Sequence, residues 1–320
     1  MKMCDFIGTA KKLLGVNMGL KEGEKLLVLY DETTLKIGES LFIAGEALGA
    51  ETLSVRMSIL PGNGVEPPSI VSEAMTKADV VVAPLGMSIT HTQARKKAAA
   101  AGVRIATMPR ITEDMFFNGP ITADYTQVAE LTRKVSSLLD KAEIAEIITG
   151  DGKYSLKMSL KERKGVPSTG VYTEKGQSGN LPSGEGYTAP VEGSADGKIL
   201  IDGSFVGFGK LKEPVVLTFE KGQMVHAEGA IAEDLYKMLG ENPLARNLAE
   251  LGIGTNDKAR VTGVILEDEK IYGTVHIALG SNDTFGGTVA AGIHVDGVVK
   301  EPVLKLDGKT VLEKGHLILE

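Results

Sequence analysis

The pattern of apolar and polar positions changes near the middle of the chain. Before residue 150, the short apolar runs LLVLY, TLSVRM, DVVVAPL and VRIATM alternate with segments in which apolar positions have helical spacing. This alternation is typical of parallel strands connected by crossover helices. We therefore predict a doubly wound α/β domain with a mostly parallel sheet over residues 1–150, forming one wall of a ligand cleft. A long helix over residues 125–142 and a strand at AEIAEIIT would complete it.

After Asp151, glycine-rich turns separate short runs that favour β-strands. This pattern predicts a mainly antiparallel β domain over residues 151–320, which would be the metal-binding, catalytic domain. The Asp-Gly pairs at 196–197 and 307–308 are typical of hairpin turns. One helix is predicted at NPLARNLAELG, with Asn242 as its N-cap and three leucines along one stripe.

Composition and charge narrow the possible partners and cofactors. The net charge of −7 argues against a nucleic-acid surface, and we expect no such partner. Cys4 is the one cysteine, so no intrachain disulfide or thiolate metal cluster can form, as expected in a reducing compartment. We find neither a signal peptide nor an apolar run of membrane-spanning length, so we expect a cytoplasmic protein without a membrane partner. Any metal must be bound by imidazoles and carboxylates.

The α/β domain could suggest a nucleotide site by analogy of fold. The segment DETTLKIG, which follows the first strand, contains neither a G-x-G-x-x-G nor a Walker pattern. Backbone and phosphate could not approach each other closely there, so we predict no nucleotide cofactor.

Two short β-prone segments, GTVHIALG and GIHVDG, carry the candidate chemistry. Because side chains alternate between the faces of a strand, His276 shares a face with Thr274 and Ala278, which leaves room beside it. The same parity places His294 and Asp296 on one face, about 7 Å apart at Cα. Two imidazoles and one carboxylate form a facial ligand set that leaves positions open for water or substrate.

A structural interpretation of these residues stands beside the metal hypothesis. His276 would then be a hydrogen-bonded histidine within a sheet. Asp296 would be a turn residue in a hairpin at VDGV, residues 295–298. His-x-Asp alone does not decide between the two.

Longer motifs resemble a known family. The segments AELGIGTN, DEKIYGTVHIALG, FGGTVAAGIHVDG and PVLKLDG occur between residues 249 and 308 in the order found in the aminopeptidase T family of thermophilic metallo-aminopeptidases. GNLPSGEGYTAP, residues 179–190, is similar to that family's other signature segment. The resemblance spans nearly the whole chain. It implies a metal-dependent aminopeptidase that acts on small peptides or amino-acid amides, and a homodimer.

The same resemblance implies a larger ligand set, with two divalent ions (Zn, Co or Mn). The residues at the family's ligand positions are Glu185, Glu250, His276, His294 and Asp296. Asp283 stands where the family has a tyrosine shortly after HIALG, and we include it as a candidate ligand. An anion in place of a phenol changes the charge of the site and the acidity of bound water, which weakens the peptidase assignment.

Each additional residue has a second interpretation. Glu185 is a candidate ligand or general base, but it could also be a solvated loop residue. Glu250 would end the predicted helix, where a negative charge is unfavourable, which points to a functional reason for it. Glu269, in EDEK, is either a solvated turn charge or a residue that contacts a metal ligand, and we interpret it as solvated or structural. His91 is a candidate catalytic residue, because it follows the strand DVVVAPL at its carboxyl end, where ligand clefts form. Alternatively, Ser88 or Thr90 caps the next helix and His91 is exposed.

Two functions compete with the peptidase. The first is a ring-cleaving dioxygenase of the dihydroxypyridine type. These dioxygenases form a branch with a similar fold and the same two histidines and aspartate, and they bind one non-haem Fe(II). In that branch the residue matching His91 lines the substrate pocket. The second is a metal-binding protein without turnover, which requires a closed coordination shell. We favour the hydrolase; direct metal binding by both Glu185 and Glu250 would support two ions and hydrolysis.

Overall fold

The computed structural model describes residues 3–319. None of the helices in that range combines the length with the apolar surface that a membrane span requires. The helices are α1 Met3–Lys12, α2 Leu35–Ala47, α3 Ser69–Met75, α4 Gln93–Ala100, α5 Glu113–Phe117, α6 Tyr125–Lys141, α7 Ala232–Leu239 and α8 Ile265–Asp268. A π-helical turn, Leu13–Asn17, continues α1, and short 3₁₀ turns are found at Glu32–Thr34, Pro120–Thr122 and Pro243–Arg246.

The strands form three sheets. In chain order they are β1 Lys25–Tyr30, β2 Glu51–Arg56, β3 Val80–Leu85, β4 Arg104–Pro109, β5 Ile144–Thr149, β6 Tyr154–Ser159, β7 Val166–Ser168, β8 Ser178–Asn180, β9 Glu185–Thr188, β10 Asp196–Ile201, β11 Ser204–Phe205, β12 Gly209–Lys210, β13 Val215–Glu220, β14 Gln223–Glu228, β15 Leu248–Gly254, β16 Val275–Gly280, β17 His294–Val299, β18 Val303–Leu306, β19 Lys309–Glu313 and β20 His316–Leu317.

The first of two structural units comprises Met1–Ala129 and Gly170–Ser183. Its five-stranded sheet has the order β2-β1-β3-β4-β8, and all neighbouring strands are parallel. Every residue of β3 is buried, which explains its continuous apolar run, because helices cover both faces of such a sheet. The predicted doubly wound α/β architecture is confirmed. The predicted division of the chain at residue 150 stays a prediction.

The N-terminal segment is an amphipathic helix. Phe6 and Ala10 of α1 are buried, as are Leu13 and Leu14 of the following turn, whereas Lys11 is exposed. Met1 and Lys2 lie outside the described residues.

The second unit comprises Glu130–Thr169 and Gly184–Glu320, and it is mainly antiparallel β as predicted. An eight-stranded sheet has the order β14-β13-β10-β6-β5-β18-β19-β20, and a seven-stranded sheet has the order β12-β11-β17-β16-β15-β9-β7. One hydrophobic core joins the two sheets; it includes Ile199 and Leu217 of the larger sheet and Leu251 and Ile277 of the smaller one. The opposite face of the seven-stranded sheet carries the polar side chains described below.

The prediction of a helix at NPLARNLAELG is wrong beyond the first turn. Asn242 caps the turn Pro243–Arg246, with its side chain accepting a hydrogen bond from Leu244 N, but the chain then becomes the strand β15. All seven residues of β15 are buried, since it lies between β9 and β16. A short strand buried on both faces lacks alternation, so its leucine spacing also fits a helix.

Candidate metal centre

The register of three antiparallel strands gathers the predicted histidines and aspartate. Asp296 of β17 lies opposite Ala278 of β16, and His294 lies opposite Gly280. His276 is two residues from Ala278 along β16, so all three polar side chains share one face of the sheet. Asp296 lies within a strand, and the hairpin-turn interpretation of VDGV is therefore wrong.

The next two strands add the carboxylates to the same face. Glu250 of β15 pairs with Ala278, and Gly252 pairs with His276. Glu185 of β9 pairs with Gly254, two residues further along β15. Glu250 is thus a strand residue, and the expectation that it ends a helix is wrong. The side chains of Glu185 and Glu250 are 8% and 9% exposed, so neither is a solvated loop residue.

The side chains form two adjacent clusters in which the candidate ligand atoms lie within 4.8 Å of one another. We call Glu250, His294 and Asp296 the open cluster, because the His294 side chain is 32% exposed. His294 Nε2 lies 3.4 Å from Glu250 Oε2 and 3.3 Å from Asp296 Oδ1. Imidazole and carboxylate atoms at this spacing are a suitable donor set for a divalent ion.

The second group, which we call the closed cluster, comprises Glu185, Glu269 and His276. His276 is completely buried, and its Nε2 lies 3.4 Å from Glu185 Oε2 and 3.3 Å from Glu250 Oε1. The contact with Glu250 connects the two clusters. The structure therefore brings together five of the predicted ligands, but it divides them between two groups rather than around a single point.

The orientation of His294 suits metal binding. Its Nδ1 lies 2.8 Å from the carbonyl oxygen of Ser281 and can donate a proton to it, which leaves Nε2 facing Glu250 and Asp296. Such a hydrogen bond fixes the tautomer and direction of a metal-binding imidazole. Phe285 packs edge-on against the His294 ring, with centroids 5.9 Å apart, and Tyr187 packs against Phe285 at 5.4 Å.

Among residues 3–319, three buried polar atoms of the two clusters have no hydrogen-bond partner. They are Asp296 Oδ1, Glu185 Oε2 and His276 Nδ1. Asp296 Oδ1 is close to His294 Nε2, but the two atoms do not form a hydrogen bond of acceptable geometry. Because an unsatisfied buried carboxylate oxygen is costly, this is the environment that a cation would stabilise. The residues present fit a divalent metal ion.

The electrostatics of the metal-free clusters place protons on the imidazoles. Burial lowers the pKa of His276, but the hydrogen bond that its ring donates to Glu250 and the charges of Glu185, Glu250 and Glu269 outweigh burial and raise the pKa to about 9. Burial also opposes the shift at His294, whose pKa is raised by Asp296 and Glu250. The reverse holds for Glu250: burial raises its pKa, but both histidines together lower it to about 2. Protons thus supply part of the positive charge that a metal would bring.

These shifts predict how the stability of the metal-free protein depends on pH. The folded-state pKa of His276 is about 9 against an ordinary 6.5, so its stabilising contribution is complete below pH 6.5 and is lost as pH rises through about 9. Burial raises the pKa of Glu269 from 4.5 to about 8, which acts in the same direction. We expect the Tm of chelator-treated protein to fall by several degrees between pH 6.5 and 9.

The control for this prediction is His276→Gln, which removes the titrating imidazole. Its Tm should depend less steeply on pH over the same range, as should that of the metal-loaded wild-type protein. A wild-type Tm that stays constant or rises from pH 6.5 to 9 in chelator would contradict the prediction.

Lys270 is the residue of this site that sequence reasoning missed. Its side chain is 2% exposed, its Nζ lies 2.5 Å from Glu185 Oε1, and it also forms an ion pair with Glu269. Burial lowers the pKa of Lys270, but the two carboxylates outweigh burial and raise the pKa above its usual value. Glu269, whose side chain is 15% exposed, is therefore a member of the site, and its interpretation as a solvated turn charge is wrong.

Two predicted site residues are not part of these clusters. Asp283 is exposed in the loop after β16. His91 is exposed in the turn between β3 and α4 and belongs to the first unit. Thr92, the next residue, caps α4 by accepting a hydrogen bond from Arg95 N. His91 is thus exposed beside a helix start, as the second interpretation predicted, but the cap is Thr92 and not Ser88 or Thr90. A catalytic role for His91 stays a prediction.

Fold and site together define a metal-binding protein with an α/β unit and a β-rich unit that carries the candidate ligands. The chain belongs to the family of 2,5-dihydroxypyridine 5,6-dioxygenase, NicX, whose family model matches residues 10–319. A curated relative, the 2,5-dihydroxypyridine 5,6-dioxygenase of Pseudomonas putida KT2440, is 25% identical over 260 residues, which cover 77% of this chain and 72% of the relative.

Two solved structures share the fold over nearly the full length. The 2,5-dihydroxypyridine dioxygenase of Pseudomonas putida KT2440 has a TM-score of 0.84 at 20% identity, covering 100% of this chain and 99% of the other. Wild-type AmpT from Thermus thermophilus has a TM-score of 0.72 at 18% identity, covering 98% and 99%. The resemblance to aminopeptidase T is thus confirmed as a likeness of fold.

The expectation of a metallo-aminopeptidase is wrong. Both the matching family model and the curated relative are dioxygenases, which are oxidoreductases and not hydrolases. The likeness to AmpT, at 18% identity, concerns the fold alone. The motifs that suggested the peptidase lie on strands and turns of this chain, and a shared fold does not by itself determine the chemistry.

Proposed function

We propose that this protein is a non-haem Fe(II) dioxygenase that cleaves the ring of a dihydroxypyridine. The observation that carries the proposal is the buried set of imidazoles and carboxylates in the open cluster and at His276, in a chain of the dioxygenase family. His276, His294 and Asp296 would hold the iron, with Glu250 between the two histidines. Two histidines and one carboxylate are the ligand set of many non-haem Fe(II) oxygenases.

When bound, Fe(II) supplies the electron-transfer chemistry that lets O₂ react with an organic ring. The protein's residues provide orientation and access. The Ser281 carbonyl holds the His294 ring so that Nε2 faces the ion. Asp296 and Glu250 compensate the charge of the ion in a buried environment, where a neutral site would bind it weakly.

The exposed side of the open cluster suits a flat aromatic substrate. His294 is the one partly exposed member of that cluster, and Phe285 stands beside its ring. Tyr187 packs against Phe285 and restrains it. A planar pyridine ring that approaches His294 would contact the Phe285 side chain, and aromatic pairs of this kind contribute about 0.5–1.5 kcal/mol beyond the burial of area.

The test is turnover by protein reconstituted anaerobically with Fe(II). We expect consumption of one O₂ per 2,5-dihydroxypyridine, and incorporation of both atoms of ¹⁸O₂ into the ring-opened product by mass spectrometry. Zn-loaded protein should be inactive, because Zn²⁺ has no redox chemistry. Binding of iron without O₂ consumption on any dihydroxypyridine isomer would refute the proposal.

A further inference from the structure

Lys270 places a positively charged ammonium group next to the closed cluster. Its ammonium group forms ion pairs with Glu185 and Glu269, two of the three members of the closed cluster. The residue is 1% exposed, so water does not compete for these contacts. A Lys ammonium and a divalent metal ion would both be stabilised by the same pair of carboxylates.

The backbone holds Lys270 in this position. Lys270 N donates to the carbonyl oxygen of Glu267, and the Lys270 carbonyl oxygen accepts from Asn256 N at 2.8 Å. Glu267 and Asp268 are themselves buried, and Asp268 accepts hydrogen bonds from Thr262 N and Gly263 N. The ammonium is therefore placed by a fixed loop.

We infer that Lys270 occupies the place of a second metal ion, so that the site holds one ion, bound by His276 together with His294 and Asp296 of the open cluster. This inference rests on the proposed metal centre. The two clusters carry four carboxylates between them, which two divalent ions would neutralise. One divalent ion together with Lys270 leaves a single negative charge, and a second ion would have to displace the ammonium from both of its carboxylates.

Lys270 gives Glu185 and Glu250 different roles. A chain with both carboxylates could bind two ions, but Glu185 Oε1 is engaged by Lys270. Glu250, in contrast, faces His276 and His294, and among residues 3–319 it forms ion pairs with these histidines alone. Glu250 is thus available to the ion in the open cluster, whereas Glu185 serves the ammonium.

The test is the number of ions bound by Lys270→Met. We expect one Mn²⁺ per wild-type chain and two per variant chain, measured by elemental analysis after equilibration with excess Mn²⁺ and gel filtration. Two neighbouring Mn²⁺ ions should also give the spin-coupled EPR signal that a single ion lacks. Lys258→Met, which removes an exposed lysine from the same region, should bind one ion like the wild type.

Further variants keep the outcomes separate. Lys270→Met/Glu185→Gln should return to one ion, because the added site loses a ligand. If Lys270→Met folds only with metal, its Tm in chelator should be lower than that of the wild type. Addition of Mn²⁺ should then raise the Tm of the variant by more than it raises the Tm of the wild type. Two ions in the wild type, or one in folded Lys270→Met, would overturn the inference while leaving a metal centre in place. No ion in the wild type would instead refute the centre itself.

Discussion

Replacing His294 by alanine is expected to abolish stoichiometric metal binding while the protein continues to unfold cooperatively. His294 Nε2 is one of the three donors in the open cluster, and the remaining two are carboxylates. Without the imidazole, the ion keeps His276 on β16 and Asp296 on β17 as proposed ligands, and we expect a loss of affinity on the order of 100-fold or more. Because the side chain is 32% exposed, truncation leaves no sealed cavity, and the cost to folding should be small.

The measurement is metal content after gel filtration, together with thermal unfolding followed by circular dichroism. His226→Ala is the matched control, since His226 is an exposed histidine on β14 outside both clusters and its replacement should leave metal content unchanged. Asp296→Asn should reproduce the loss through charge alone, because the amide has the shape of the carboxylate. One full equivalent of metal in His294→Ala would show that the open cluster is not the binding site.

Much of the candidate site could be predicted from the alternation of side chains along a strand. Within a strand, alternate residues share a face, so the spacing His-x-Asp in β17 was sufficient to place His294 and Asp296 together. The alternation of apolar runs and helical segments likewise predicted the parallel sheet of the first unit. Both are local properties of the chain, so they can be identified from a single sequence.

What the sequence did not show depends on contacts between distant segments. Lys270 stands in the charged run EDEK, which is typical of a solvated turn, and its burial results from the pairing of this loop with Asn256 and Glu185. Asp196-Gly197 was predicted as a hairpin turn but lies within β10. A Cβ at Gly197 would lie 2.2 Å from the carbonyl oxygen of Ser155, so this glycine permits close approach of a neighbouring strand.

One overlooked signal was present in LGIG of β15. Gly252 and Gly254 are two residues apart and share the face that carries the ligands. A Cβ at Gly254 would lie 2.0 Å from the carbonyl oxygen of Ile271, so the segment that contains Lys270 crosses the strand there. Two glycines on one face of an apolar strand indicate that other groups approach that face closely. The signal predicts crowding, but it does not identify the crowding residue.

Gly252 provides the second prediction with a large effect. A Cβ at this position would lie 2.0 Å from His276 Nε2, far inside van der Waals contact. His276 is fully buried, so its ring has little room to move. We expect Gly252→Ala to displace the imidazole, to weaken metal binding on the order of 100-fold, and to destabilise the protein by about 1–3 kcal/mol through overpacking.

A double-mutant cycle identifies the cause of this effect. If the added methyl group acts through the imidazole, Gly252→Ala/His276→Ala should recover most of the lost free energy of unfolding, since alanine at 276 vacates the volume that the Cβ needs. Metal binding should stay weak in the double variant because a ligand is missing. Additive losses of stability would instead mean that the methyl group disturbs the β15 backbone, and a Gly252→Ala variant with wild-type metal affinity would remove His276 from the proposed ligand set.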